Sequence, residues 1–253
     1  MKHQIKAVSA CISVLLAVLA TPARAQTAAS SNIWQGSVNL GLTLTRGNSD
    51  TTLLSAGITA QGKWPHDLLA LRIDGLYGEA KIAGESKPSE TADLLHGAIQ
   101  YNRDFTSRFY GYMRVDGLHD GIADIQYRVS ATPGLGYYII KEKKVDLSAE
   151  VGAGYVDEKL DSQYESYATL RAAEKFHWAI TARSRFWETI EYLPQVDAFG
   201  NYIVNFETGV EAGLNKKNNL ALRTVLQDTY NNEPAPDRLK NDLKLIAGLS
   251  YKF

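Results

Sequence analysis

The chain has 253 residues, with 27 basic and 28 acidic side chains, one cysteine and a mean hydropathy of −0.23. This near-neutral balance gives no reason to expect nucleic-acid binding, and a single cysteine excludes a disulfide framework. No apolar run is long enough for a membrane-spanning helix, yet strands stay open as an alternative, because alternation averages an apolar face with a polar one.

Met1 to Ala25 places Lys2 and Lys6 ahead of an apolar stretch from Val8 to Ala20, then Ala23-Arg24-Ala25 before Gln26. The pattern predicts a cleaved secretory signal peptide over residues 1–25; an uncleaved helical anchor is the alternative, though the apolar run is short for one. Cys11 leaves with the signal, so the mature domain, 26–253, has no cysteine and no thiol or iron–sulfur chemistry. The segment removed holds Lys2, Lys6 and Arg24 and no acid, which leaves 24 basic against 28 acidic side chains.

Residues 34–45 alternate, with Trp34, Gly36, Val38, Leu40, Leu42 and Leu44 on one face and Ser37, Asn39, Gly41, Thr43 and Thr45 on the other. A turn signal, Arg46-Gly47-Asn48-Ser49-Asp50, leads to a second strand with Leu54, Ala56, Ile58, Ala60 and Trp64 on its apolar face. The same periodicity predicts ten further strands near 68–79, 91–103, 108–119, 126–139, 145–156, 164–176, 179–192, 201–214, 219–230 and 239–253. Short connections such as 64–67 and His177-Trp178 alternate with longer ones such as 80–90 and 157–163. The last strand puts Leu243, Leu245, Ala247, Leu249, Tyr251 and Phe253 on one side.

Aromatic residues sort to the ends of the apolar faces. Trp34, Trp64, Tyr101, Phe109, Tyr137, Phe176, Trp178, Tyr251 and Phe253 fall at one end, and Tyr77, Tyr127, Tyr155, Tyr164, Tyr192, Tyr202 and Tyr230 at the other. Two girdles around an apolar band predict an all-β fold, a single transmembrane antiparallel β-barrel of about twelve strands preceded by the signal peptide. A soluble β-sandwich also has an apolar face, but no reason to place aromatics at both strand ends.

The terminal strand resembles the closing strand of Gram-negative outer-membrane barrels, in which a terminal Phe is recognised by the barrel-assembly machinery; Tyr251 and Phe253 carry that likeness. Thr45 to Leu53, with the turn residues Gly47, Asn48, Ser49 and Asp50, resembles the signature of the salt-induced outer-membrane protein family, the YdiY-like proteins. The resemblance implies an outer-membrane location and a link to salt stress, and brings no catalytic residues with it. It also implies outer-membrane lipids as surroundings, with the assembly machinery and periplasmic chaperones as partners during biogenesis. Neither a cofactor nor a metal is expected, and a monomer is the default.

The inward parity collects Arg72, Asp74, His96, Arg114, Asp116, Arg128, Glu150, Glu165, Arg171, Arg183, Arg185, Glu207, Glu211, Arg223 and Lys244. Charges facing a narrow interior must be paired or hydrated. Either they cross-link the lumen into a salt-bridged plug, or they line a narrow channel for small solutes. Arg183, Arg185 and Arg171 form a positive stripe that would favour anions; the plainer reading pairs them with Glu150, Glu165 and Glu207. A lipid hydrolase is the enzymatic rival, but His119, outward near the outer rim, is followed by Asp120-Gly121 and lacks a serine two residues on. The expectation is a non-enzymatic barrel with a charged, largely plugged lumen.

Overall fold

The computed structural model describes residues 34–45, 49–82 and 87–253. Twelve strands run in chain order: β1 (Trp34–Thr45), β2 (Ser49–Lys63), β3 (Asp67–Ile82), β4 (Ser89–Asp104), β5 (Phe109–Asp120), β6 (Ile125–Lys141), β7 (Val145–Leu160), β8 (Gln163–Trp178), β9 (Ser184–Pro194), β10 (Tyr202–Gly213), β11 (Leu220–Asn231) and β12 (Asn241–Lys252). Each pairs antiparallel with its neighbour in sequence, and β12 pairs with β1, so the sheet closes. Closure matters because an unpaired N–H or C=O in hydrocarbon costs several kcal/mol, about as much as a lost hydrogen bond with no water to replace it. The predicted signal segment 1–25, together with Gly47 and Asn48, lies outside the described residues; Ser49 and Asp50 open β2.

The wall is inside-out relative to a soluble domain. Leu42, Val151, Leu243 and Leu245 each expose at least 60% of their surface, while the inward Glu150, Arg171 and Glu211 are at most 3% exposed. An apolar face this continuous requires lipid against it. Rings gather at both borders of that face. At the near rim, where Trp34 and Lys252 lie, the centroids of Trp34 and Trp64 are 5.7 Å apart, those of Phe109 and Tyr137 4.8 Å, and those of Phe176 and Phe186 6.0 Å. At the far rim Tyr202 stacks between Tyr192 (5.6 Å) and Tyr230 (5.9 Å). Tyr155 and Tyr164 are exposed there as well.

Several boundaries differ from those the alternation predicts. The connection expected over 157–163 is strand: β7 and β8 continue as a ladder to Leu160–Gln163, joined by Asp161 and Ser162, with Asp161 at φ 51°. Likewise β3 runs to Ile82 and β4 begins at Ser89, narrowing the expected 80–90 loop. Hydrophobic alternation marks only the part of a strand that touches lipid; beyond it, backbone pairing continues with polar residues on both faces. The expected turn at His177-Trp178 is also strand, since β8 extends to Trp178. The turn lies instead over 179–183, where the Thr181 hydroxyl accepts the backbone N–H of Arg183 (3.1 Å) and Ser184 (3.0 Å).

The closing seam is brief. Register runs from Ser37–Lys252 to Leu40–Leu249, extended by mutual backbone hydrogen bonds between Gly36 and Phe253 of 3.1 and 3.0 Å. The Phe253 ring covers Gly36, at the place a Cβ would occupy. Just past Leu40, Gly41 and Gly248 let the two backbones come close: a Cβ on Gly248 would lie 2.2 Å from the Leu40 carbonyl oxygen. There the paired register of β1 with β12 ends.

Candidate functional site

The period of two sends every second side chain of each strand inward, so the site is the lumen. Its wall near the near rim is shaped by tyrosines lying flat on glycines. A Cβ on Gly136 would meet the Tyr110 ring at 2.1 Å, and one on Gly134 the Tyr112 ring at 2.4 Å, so these two positions need glycine for close approach.

Against those rings stands Glu150. Its Oε1 accepts from Gln100 Nε2 (2.9 Å), Tyr110 OH (2.9 Å) and Lys175 Nζ (2.8 Å), and its Oε2 from Arg171 Nη1 (2.7 Å). Arg171 also donates to Tyr112 OH (3.0 Å) and, through Nε, to Glu191 (2.5 Å). Asn205 donates to the other Glu191 oxygen at 3.0 Å. A carboxylate removed from water this far is tolerated only with its lone pairs filled, which is what the four donors do.

Further toward the far rim, ion pairs cross the bore. Arg72 on β3 donates to Glu207 on β10 at 2.7 Å, with four strands between them on the shorter way round and six on the other. Lys244 on β12 lies 3.4 Å from Asp120 on β5, an equally wide crossing. Arg72 is also held by Asp74, Arg128 by Glu158, and Arg114 by Asp116. His96 stands between Asp116 (3.4 Å) and Asp74 (3.8 Å). On the opposite wall, Glu211 takes Arg185 (2.9 Å) and Lys252 (2.6 Å). Glu207 receives, besides Arg72, Gln227 (2.8 Å) and Trp187 Nε1 (2.9 Å).

The pairs do not fill the interior. A cavity of about 1450 Å³ is lined at the near end by Lys63, Lys141, Glu142 and Lys217, and at the far end by Ile122, Ala123, Pro234, Ala235 and Arg238. The connection over 232–240 folds across the far mouth, with Ala235 buried and Arg238 bonded to Asp124 on the opposite connection at 2.5 Å. The Asp124 carboxyl is held below the ordinary carboxylate range, chiefly by that hydrogen bond from Arg238.

Arg72, Asp74, Arg114, Asp116, Arg128, Glu150, Arg171, Arg185, Glu207, Arg223 and Lys244 all line this cavity, and Glu211 is buried in its wall. Two expected members do not. Arg183 belongs to the 179–183 turn, because β9 begins one residue later, so no Arg183-Arg185 stripe forms in the bore. Glu165 has inward parity but stands exposed on the β7–β8 hairpin, facing Glu158 in register. Inward residues outside the set collected from the sequence include Trp187, Glu191, Glu158 and Asp120, each on the parity of an expected neighbour. Trp187 shares the parity of Arg185, and Gly209, directly opposite it in register, gives the space for its ring. His119 contacts the Gln126 carbonyl (2.9 Å) and Asp93 (3.7 Å), neither of them a nucleophile for it to activate.

A closed twelve-stranded antiparallel barrel with an apolar outside and a charged bore is the outer-membrane barrel class. The chain belongs to the family described as protein of unknown function, DUF481, whose model matches residues 38–253. No curated protein matches it. Among solved structures it is similar to the NanC porin, with a TM-score of 0.52 at 7% identity, covering 87% of this chain and 100% of that one. It is similar also to the COG4313 outer membrane channel from Pseudomonas putida F1, with a TM-score of 0.51 at 10% identity over 92% and 99% of the two chains. At these identities the likeness is one of fold.

Proposed function

We propose that the mature chain is a non-enzymatic outer-membrane barrel that acts as a narrow channel for small hydrophilic solutes. The observation that carries this reading is one cavity of about 1450 Å³ lined by residues of both rims. The near rim is then periplasmic and the far rim faces outside. In the same reading residues 1–25 are a cleaved signal, Tyr251 and Phe253 serve the assembly machinery, periplasmic chaperones escort the unfolded chain, and the barrel works as a monomer in lipid. That two similar folds are named as a porin and an outer membrane channel agrees with it.

A second reading is supported by Arg72–Glu207 and Lys244–Asp120, which cross the bore. In it the charges are internal struts, and the barrel has an envelope role under salt stress, as the likeness to the salt-induced family implies. Single-channel recording of the refolded mature chain in planar bilayers separates the two. Discrete small conductance steps are expected; a flat baseline over many verified insertions would leave the strut reading in place.

A further inference from the structure

We infer that Arg223, stacked on Trp187 in the bore, is an exchangeable binding site for a small anion, halide or monocarboxylate, and that it gives the pore anion preference. The inference rests on the channel reading for its consequence, but not for the site itself.

The geometry explains why this one guanidinium is left over. In register Glu211 faces Arg185 on β9 and Arg223 on β11. Arg185 and Lys252 take its two oxygens, at 2.9 and 2.6 Å. Glu207, the next carboxylate along the strand, is filled by Arg72, Gln227 and Trp187. Among the described residues no ion pair or hydrogen bond joins Arg223 to another side chain; its contact is the Trp187 ring, with the guanidinium carbon 4.8 Å from the centroid. Arg185 flanks the same ring at 5.7 Å. Within this group Arg72, Arg185, Arg223 and Lys252 face Asp74, Glu207 and Glu211, one positive charge in excess.

A guanidinium held over a ring spends no N–H group on that contact, and its free N–H groups match a carboxylate edge or a halide. Arg223 lines the main cavity, so an anion reaches it through the bore. A fixed positive charge inside low-dielectric walls concentrates anions and excludes cations. Trp187 is pinned behind it, buried against Gly209, so the ring reports on whatever the guanidinium holds.

Two measurements on the refolded full mature barrel test this. In a potassium chloride gradient the wild type is expected to reverse on the anion-selective side, with the anion-to-cation permeability ratio falling about tenfold in Arg223→Gln and largely kept in Arg223→Lys. Independently of conduction, a barrel with Trp34, Trp64 and Trp178 changed to Phe leaves Trp187 as the sole tryptophan, which can be excited apart from the tyrosines. Iodide is expected to quench it saturably, and only in linear collisional fashion after Arg223→Gln. Saturable, Arg223-dependent quenching in a barrel that carries no current would keep the site and remove the channel. Current steps with selectivity and quenching unmoved by Arg223→Gln would keep the channel and overturn the site.

Discussion

Glu150 receives donors from β4, β5 and β8, so a single side chain fastens three other strands to β7. With side-chain exposures of 1% for Glu150 and 2% for Arg171, its removal would leave the buried Arg171 with Glu191 as its remaining carboxylate. Lys175, at 20%, can turn to the water of the bore, so the loss falls toward the low end for a broken buried pair. Glu150→Gln is therefore expected to lower stability by about 3 kcal/mol. Urea unfolding of the refolded barrel followed by tryptophan emission measures it, and a change within ~0.5 kcal/mol would deny Glu150 this fastening role.

At the scale of strands and connections, the clasp between Asp124, before β6, and Arg238, before β12, holds the far mouth. Because the folded carboxyl titrates lower than in the unfolded chain, the clasp contributes above the unfolded pKa of ~3.9 and is lost as pH falls through the lower folded value. Protection of backbone amides over 232–240, corrected for intrinsic exchange, is expected to be constant from pH 7 to 5 and to fall as pH is taken below the unfolded carboxyl value of ~3.9. Asp124→Asn should show the low protection throughout; an unchanged profile in that variant would mean that the clasp does not hold the segment. The strands themselves were largely legible, since parity of Leu and Val against charged residues gives both their number and their inward faces. What escaped was whatever parity does not encode. Arg183 has the right parity for the bore but lies before its strand, where Thr181 captures the backbone. Glu165 has it too, but above the lipid band. The pairing of Arg72 with Glu207 depends on which strands face each other across a closed wall, and no local pattern states that.

For the whole molecule, folding and insertion have to meet the same constraint: twelve strands give no wall until the first meets the last. Every other ladder is a hairpin between chain neighbours, whereas β1 and β12 meet only through closure. The β7–β8 ladder runs from Val145–Trp178 to Leu160–Gln163, but the seam is paired only from Ser37–Lys252 to Leu40–Leu249, with Gly36 and Phe253 beyond. The join is thus made last and holds by the fewest bonds, in a wall where each lost bond has no water to replace it.

A hoop so built parts at its clasp before its staves. Heat or denaturant is expected to free the amides of 249–252 on β12 well before those of 147–156 on β7, and exchange followed residue by residue through the transition reads that order. Uniform release would mean that the wall yields everywhere at once. If 249–252 goes first, the lifetime of the barrel in a membrane is set by a few residues beside Gly41 and Gly248.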